Sequence, residues 1–147
     1  MKERESAINA HIQKDPFASY LGAKVEILAP GHSRVTLAVT ADLLNFHGTT
    51  HGGIVFSVGD MAFAAAGNSR GQTAVALNMT ISFLRATQAG DMLVAEAREQ
   101  VLNGPIGVYD IIVVEQNSGQ RVAQIQAMIY RKREWFIGEE GEEKLGD

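Results

Sequence analysis

Residues 51–67, running from His51 through two glycines to Gly67, constrain this chain more than any other stretch. Between Gly53 and Gly67 the only charged residue is Asp60 and the only hydroxyl is Ser57. The rest is Ile, Val, Phe, Met, Ala and Gly, which predicts one helix that is apolar on nearly every side and therefore buried. Gly67 ends it. A single carboxylate in such a helix is costly to bury and marks a functional position. Gly53, Ser57 and Asp60 stand at i, i+4 and i+7 and share a face. The helix start offers free N–H groups with partial positive charge, and Gly52 and Gly53 let a ligand approach them closely. Donor and carboxylate are then about 10 Å apart along one helix, too far for one ligand carbonyl to touch both. A two-fold dimer with antiparallel helices brings Gly53 of one copy to Asp60 of the other.

One buried helix needs a sheet around it, and the flanking sequence supplies strands. Upstream, 24–28 and 34–40 read as strands joined at Pro30-Gly31, with Val35, Leu37 and Val39 on one face. Downstream, 73–84, 92–101, 108–116 and 121–133 read as four strands in a meander. Turn signals lie at 89–91, 103–105 and 117–119. Residues 42–50 form a polar loop in which Thr49 or Thr50 is the expected N-cap. Near the N-terminus, 3–14 reads as a short helix with Ala7, Ile8 and Ile12 on one side. A second turn begins at Pro16 and places Phe17, Tyr20 and Leu21 in the core. The expectation is an α+β fold, an antiparallel six-stranded sheet wrapped around one long central helix. It divides into an N-terminal helical segment (1–14), one domain (15–134) and an acidic tail (135–147).

Charge and cysteine content exclude several functions. The 147 residues carry no cysteine, so disulfides, thiolate nucleophiles and Cys-bound zinc are out. The net charge of −4 is concentrated in Glu139, Glu140, Glu142, Glu143 and Asp147. Without residues 139–147 the acidic and basic side chains balance, which gives no electrostatic support for nucleic-acid binding. That tail is expected to be solvated and disordered. The charged start of the chain is no signal peptide, and the helix is too short to span a bilayer. A soluble, cytoplasmic protein is the expectation. His47 and His51 at i, i+4 lack a carboxylate partner with metal-site spacing, so no metal is expected. Ser57 lacks the strand–turn–helix setting of a serine nucleophile. It either meets a ligand and orients Asp60 or bonds back to its own turn.

The set Leu44-Asn45-Phe46-His47-Gly48-Thr49-Thr50-His51-Gly52-Gly53, followed by Asp60, resembles the hotdog-fold acyl-CoA thioesterases. Within them it is most similar to the phenylacetic-acid-degradation (PaaI-type) family. Residues 60–64, 68–71, 81–85 and 107–111 extend the likeness over roughly 15–133. The resemblance implies hydrolysis of an acyl-CoA, with an aryl or hydroxyphenylacetyl group as leading substrate and no cofactor. It implies a site across a homodimer interface and, commonly, a homotetramer. Asp60 matches the general base or nucleophile, Gly53 the amide that polarises the carbonyl, Asn45 the polar residue at the reaction centre, and His51 the residue that shapes the helix start. Gly52 and Ser57 are expected on the substrate, and Arg85 and Arg131 on the phosphates of coenzyme A. Ser82 stands where some relatives carry a charge, which bears on substrate choice. Two other functions fit such a chain. Asp42 and His47 have the spacing of a hotdog hydratase pair, and a non-catalytic acyl-CoA-binding protein uses the same fold.

Overall fold

The computed structural model describes residues 2–137. Six strands curl around the long helix, α3 (Gly52–Gly67), and leave one face of it open: β1 (Lys24–Ala29), β2 (His32–Ala38), β3 (Gln72–Phe83), β4 (Met92–Asn103), β5 (Ile106–Glu115) and β6 (Arg121–Trp135). They form one antiparallel sheet in the order β1-β2-β4-β5-β6-β3, and every strand touches α3. Residues alternate inward and outward, as the two-residue strand period requires. Val35 and Leu37 of β2, Leu93, Ala95 and Ala97 of β4, and Tyr109, Ile111 and Val113 of β5 are buried under the helix. The alanines of β4 let α3 lie close. The inward ring of Tyr109 meets Phe63 of α3 edge-on at 5.5 Å, a favoured aromatic geometry. Gly59 has a packing reason: a Cβ there would stand 2.3 Å from Cδ1 of Ile125.

The four downstream strands are not a simple meander. β4, β5 and β6 follow one another, but β3 lies at the far edge against β6. Two local devices decide this. Asn68 at the end of α3 donates to Ala64 O at 2.9 Å and accepts from Ala74 N at 2.8 Å, which sends β3 away from β2. The turn at Gly90-Asp91 bonds to Val39 on both sides at 2.9 Å, which delivers β4 onto β2.

The two sheet edges differ. Helix α1 (Lys2–Ile12) lies beside β1, with Ile8 buried and the Gln13 amide donating to Val25 O at 2.8 Å. It also packs across the end of β6, where the Arg4 guanidinium sits 4.3 Å over the Trp135 ring. Ala7, expected on the buried side, is exposed. The short α2 (Pro16–Leu21) is capped by the Asp15 carboxylate, which accepts from Phe17 N and Ala18 N. Only Ala18 of α2 is buried, while Leu21 packs at the margin of the core. Phe17 and Tyr20 are 49% and 84% exposed, so their expected place in the core is corrected. A helix of six residues with its N-cap on the surface turns one face inward, and Ala18 occupies it. At the other edge no element of the described residues covers β3, and its Val75 and Leu77 are exposed with Phe83 and the adjoining Leu84. Of the expected acidic tail, Trp135 closes β6 and Phe136 stacks on His11 at 4.6 Å. Residues 138–147 lie outside the described residues.

Candidate active site

The loop before α3 is built to present the helix start. The Asn45 carbonyl oxygen accepts from His47 N at 2.9 Å and Thr49 N at 3.2 Å, and its amide donates to Thr49 Oγ1 at 3.0 Å. Asn45 is thus a turn-former, half-buried at the base of the loop. Thr50 N donates to Thr87 O at 2.9 Å, and the two threonine hydroxyls meet at 2.7 Å. This clamps the loop to the β3–β4 connection. His51 N donates to Leu43 O at 2.9 Å.

The N-cap is His51, not Thr49 or Thr50: the Gly53 N–H donates to its Nδ1 at 2.9 Å. Thr50 is buried and committed to Thr87, so the next side chain takes the cap. An acceptor at Nδ1 places the ring proton on Nε2. The Gly52 N–H has no acceptor among the described residues. A Cβ on Gly53 would lie 3.1 Å from the His51 ring nitrogen, and one on Gly52 would lie 3.4 Å from the Phe83 ring. The helix start is therefore open to a ligand, with one free amide and a second shared with His51.

Along α3 an unburied stripe runs through Gly53, Ser57, Asp60 and Ala64, with Ile54 and Phe56 beside it also short of full burial. This is the face that the i, i+4, i+7 spacing of the first three predicts. The Ser57 hydroxyl donates back to Gly53 O at 2.7 Å, so it makes the local bond. Asp60 is half-buried, and among the described residues it has neither a hydrogen-bond donor nor an ion-pair partner. Burial raises its pKa above the ordinary carboxylate value, and the charge of Asp15 raises it further. A carboxylate of elevated pKa, unneutralised among the described residues, is suited to accept a proton.

Other expected residues lie apart. Arg85 is exposed just beyond β3, on the side of the helix start. Arg131 sits at the opposite end of α3, where its guanidinium donates to Gly104 O at 2.7 Å and reaches Gln72 at 3.4 Å. One chain therefore does not bring Arg131 to Gly53. Asp42 and His47, the expected hydratase pair, make no hydrogen bond to each other among the described residues. The Asp42 carboxylate accepts from the Thr40 hydroxyl, while His47 is exposed and packs on Phe46 at 4.3 Å. Among the described residues no cluster of His, Cys, Asp or Glu has metal-binding geometry. Likewise no helix of the described residues is long and apolar enough to cross a membrane.

A further polar cluster escaped the sequence reading. Arg70, just past α3, forms a two-pronged pair with Glu99 of β4, and the buried Tyr109 hydroxyl donates to Glu99 at 2.9 Å. Burial and the Glu99 hydrogen bond push the Tyr109 pKa far up. The only sequence signal was a tyrosine at an inward strand position, whose hydroxyl requires a partner.

A family model described as the thioesterase superfamily matches residues 47–122, which span α3 and the strands β3, β4 and β5. The chain belongs to the thioesterase superfamily. Within it, this thioesterase groups with the hotdog acyl-CoA thioesterases of the PaaI type. It is 46% identical over 110 residues to the acyl-coenzyme A thioesterase PaaI of Escherichia coli K12, covering 74% of this chain and 79% of that protein. The solved E. coli PaaI protein from the phenylacetic acid degradation operon superposes with a TM-score of 0.82 at 38% identity, over 88% of this chain and 96% of that one. A Streptococcus mutans UA159 protein solved bound to acetyl CoA gives a TM-score of 0.68 at 28% identity, over 74% of this chain and 89% of that one. The six-stranded antiparallel sheet around one helix, expected from the sequence, is the fold of this thioesterase.

Proposed function

We propose that this protein hydrolyses acyl-CoA thioesters at a centre shared by two copies of the chain. The observation that carries this reading is Asp60: half-buried, without a partner among the described residues, and on the same open stripe as the amides of the helix start. The β3 edge, uncovered among the described residues, supports the pairing. A long edge strand with Val75, Leu77 and Phe83 exposed is a template for another chain. Two-fold pairing there sets the two α3 helices antiparallel, with Gly53 of one copy facing Asp60 of the other. The partly buried Val94, Ile112 and Val114 on the outer sheet face then suit a second dimer, which would make a homotetramer.

In this scheme the Gly52 and Gly53 amides of one copy hold the thioester oxygen. The Gly53 donor is shared with, or released by, His51 as the carbonyl arrives. Asp60 of the other copy takes a proton from water, and the hydroxide adds to the carbonyl carbon. Charge builds on the oxygen facing the amides, where fixed donors stabilise the transition state most. The C–S bond then breaks, and the thiolate recovers the proton from Asp60. If Asp60 instead attacks directly, an anhydride forms and water cleaves it. Asn45 holds the loop that shapes the centre, and Ser57 lines it. Arg85 and Arg131 are assigned to the coenzyme A phosphates, and an aryl or hydroxyphenylacetyl group is the leading acyl substrate. The kinship with a PaaI protein from the phenylacetic acid degradation operon supports that choice.

The test is thiol release from a panel that includes phenylacetyl-CoA and hydroxyphenylacetyl-CoA. Wild type releases thiol, and Asp60→Asn lowers kcat by about 10²–10⁴-fold, the range of a lost general base. Equal rates for the two proteins remove Asp60 from the chemistry. Single turnover in oxygen-18 water separates base from nucleophile, because label enters Asp60 only through the anhydride.

A further inference from the structure

The helix start that carries the Gly52 and Gly53 amides is tied to a distant segment by two bonds. Thr50, just before the cap His51, and Thr87, in the connection between β3 and β4, are both buried, at 7% and 5% exposure. The Thr87 hydroxyl donates to Thr50 Oγ1 at 2.7 Å, and Thr50 N donates to Thr87 O at 2.9 Å. Thr87 is itself a fixed point. On one side of it Leu84 N donates to Val122 O at 2.8 Å. On the other, Gln88 N donates to the Asp91 carboxylate at 2.9 Å, and the Gly90-Asp91 turn is bonded to Val39. The loop side is closed as well, since Asn45 N donates to Thr49 O at 2.7 Å and Thr50 bridges to Leu44. The two threonines therefore join two units that are each held by the sheet or by their own bonds.

We propose that Thr87 is a positioning residue for the reaction: its hydroxyl bond to Thr50 sets where the Gly52 and Gly53 amides stand relative to the thioester oxygen. The inference rests on the thioesterase reading above and adds a residue that acts through Thr50 rather than on the substrate. Two hydroxyls close to 2.7 Å because a proton lies between the oxygens. Two methyl groups in the same place rest about 3.5–4.0 Å apart. An apolar pair of equal volume therefore wedges the loop away from the connection by about 1 Å. The amides follow, because His51 alone stands between Thr50 and Gly52. A misplacement of about 1 Å costs on the order of 10²-fold in rate. The loss falls on kcat, because fixed donors matter most where charge develops in the transition state. Plain cohesion of the fold is a separable role. Replacing both partners of a buried hydrogen bond by apolar groups of the same shape leaves nothing unsatisfied and is nearly neutral for stability.

The experiment measures kcat and KM across pH, with the fastest substrate of the thiol-release panel, and a melting curve for each protein. The proteins are wild type, Thr87→Ser, Thr87→Ala and a double variant that combines Thr50→Val with Thr87→Val. Thr87→Ser keeps the hydroxyl and is expected to keep the wild-type kcat. The double variant is expected to melt near wild type and to lose kcat about 10²-fold. Its KM changes by less than about threefold, as for an interaction made in the transition state. The acid limb of its pH profile stays in place, because Asp60 stands nearly two turns along α3 from the amides. Thr87→Ala adds no bulk, so it folds even if the double variant does not, and it lowers kcat by about 10–10²-fold. A folded Thr87→Ala or double variant with the wild-type kcat overturns the positioning role while the thioesterase reading stands. So does Thr87→Ser as slow as Thr87→Ala, a rise in KM alone, or a displaced acid limb. No release by wild type from any member of the panel overturns the thioesterase reading, and the role of Thr87 with it.

Discussion

Asp60 carries a cost to the fold and, in the proposed reaction, the function that offsets it. Its pKa is raised chiefly by burial, then by Asp15. A raised carboxylate binds its proton more tightly in the folded state, so its contribution to stability is complete below the unfolded pKa of about 3.9. That contribution is lost as pH climbs through the higher folded value. At neutral pH the ionised group therefore destabilises the fold. Asp60→Asn is expected to raise Tm at pH 7 and to leave it nearly unchanged at pH 3, measured by calorimetry, while activity is lost. This is the usual opposition between stability and function at a site. Asp15→Asn keeps an N-cap on α2, because Asn caps as well as Asp, but removes a charge that raises Asp60. The acid limb of kcat/KM against pH is expected to move to lower pH. An unmoved limb means that Asp60 is not the group whose ionisation the rate reports.

At the scale of elements, α3 is positioned by small residues on both sides of its contact with the sheet. Gly59 faces Ile125, and Ala95 and Ala97 of β4 are fully buried beneath the helix. Gly59→Ala gains helix propensity of about 1 kcal/mol but forces a methyl to within 2.3 Å of Ile125 Cδ1. Overpacking of this kind costs about 1–3 kcal/mol, so a net loss of stability is expected in urea denaturation. The Ile125→Val second change relieves it by removing that terminal methyl. The start of the helix depends on His51, whose ring accepts the Gly53 N–H. His51→Ala removes the cap, with a loss of about 0.5–2 kcal/mol on the scale of other N-caps, and thermal melts check it.

For the whole molecule, the contrast between the sheet edges is the controlling feature. The β1 edge is covered by α1 of the same chain, whereas β3 presents backbone and Leu77 to solvent. Leu77→Lys places a charge on that edge, the device by which edge strands resist pairing. Sedimentation is expected to show a shift to monomer and thiol release to fall with it, because Gly53 and Asp60 of one chain cannot meet on one carbonyl. A monomeric variant of full activity refutes the shared centre.

The sequence alone determined most of the elements, because their signals are local. An apolar run of helical length between glycines forms α3 wherever it is placed, and strand alternation with turns at 30–31, 103–105 and 117–119 forms β1–β2 and β4–β5–β6. The spacing of Gly53, Ser57 and Asp60 likewise fixes one face of one helix. Only the tertiary structure decided where β3 lies, because Asn68 and the Gly90-Asp91 turn act through bonds to Ala74 and Val39 that no local pattern reveals. The same holds for His51 as the cap, since Thr50 is taken by Thr87 from a distant loop, and for the exposure of Phe17 and Tyr20. Local propensity chooses the shape of a segment. Which of its groups remain free is settled by partners far along the chain.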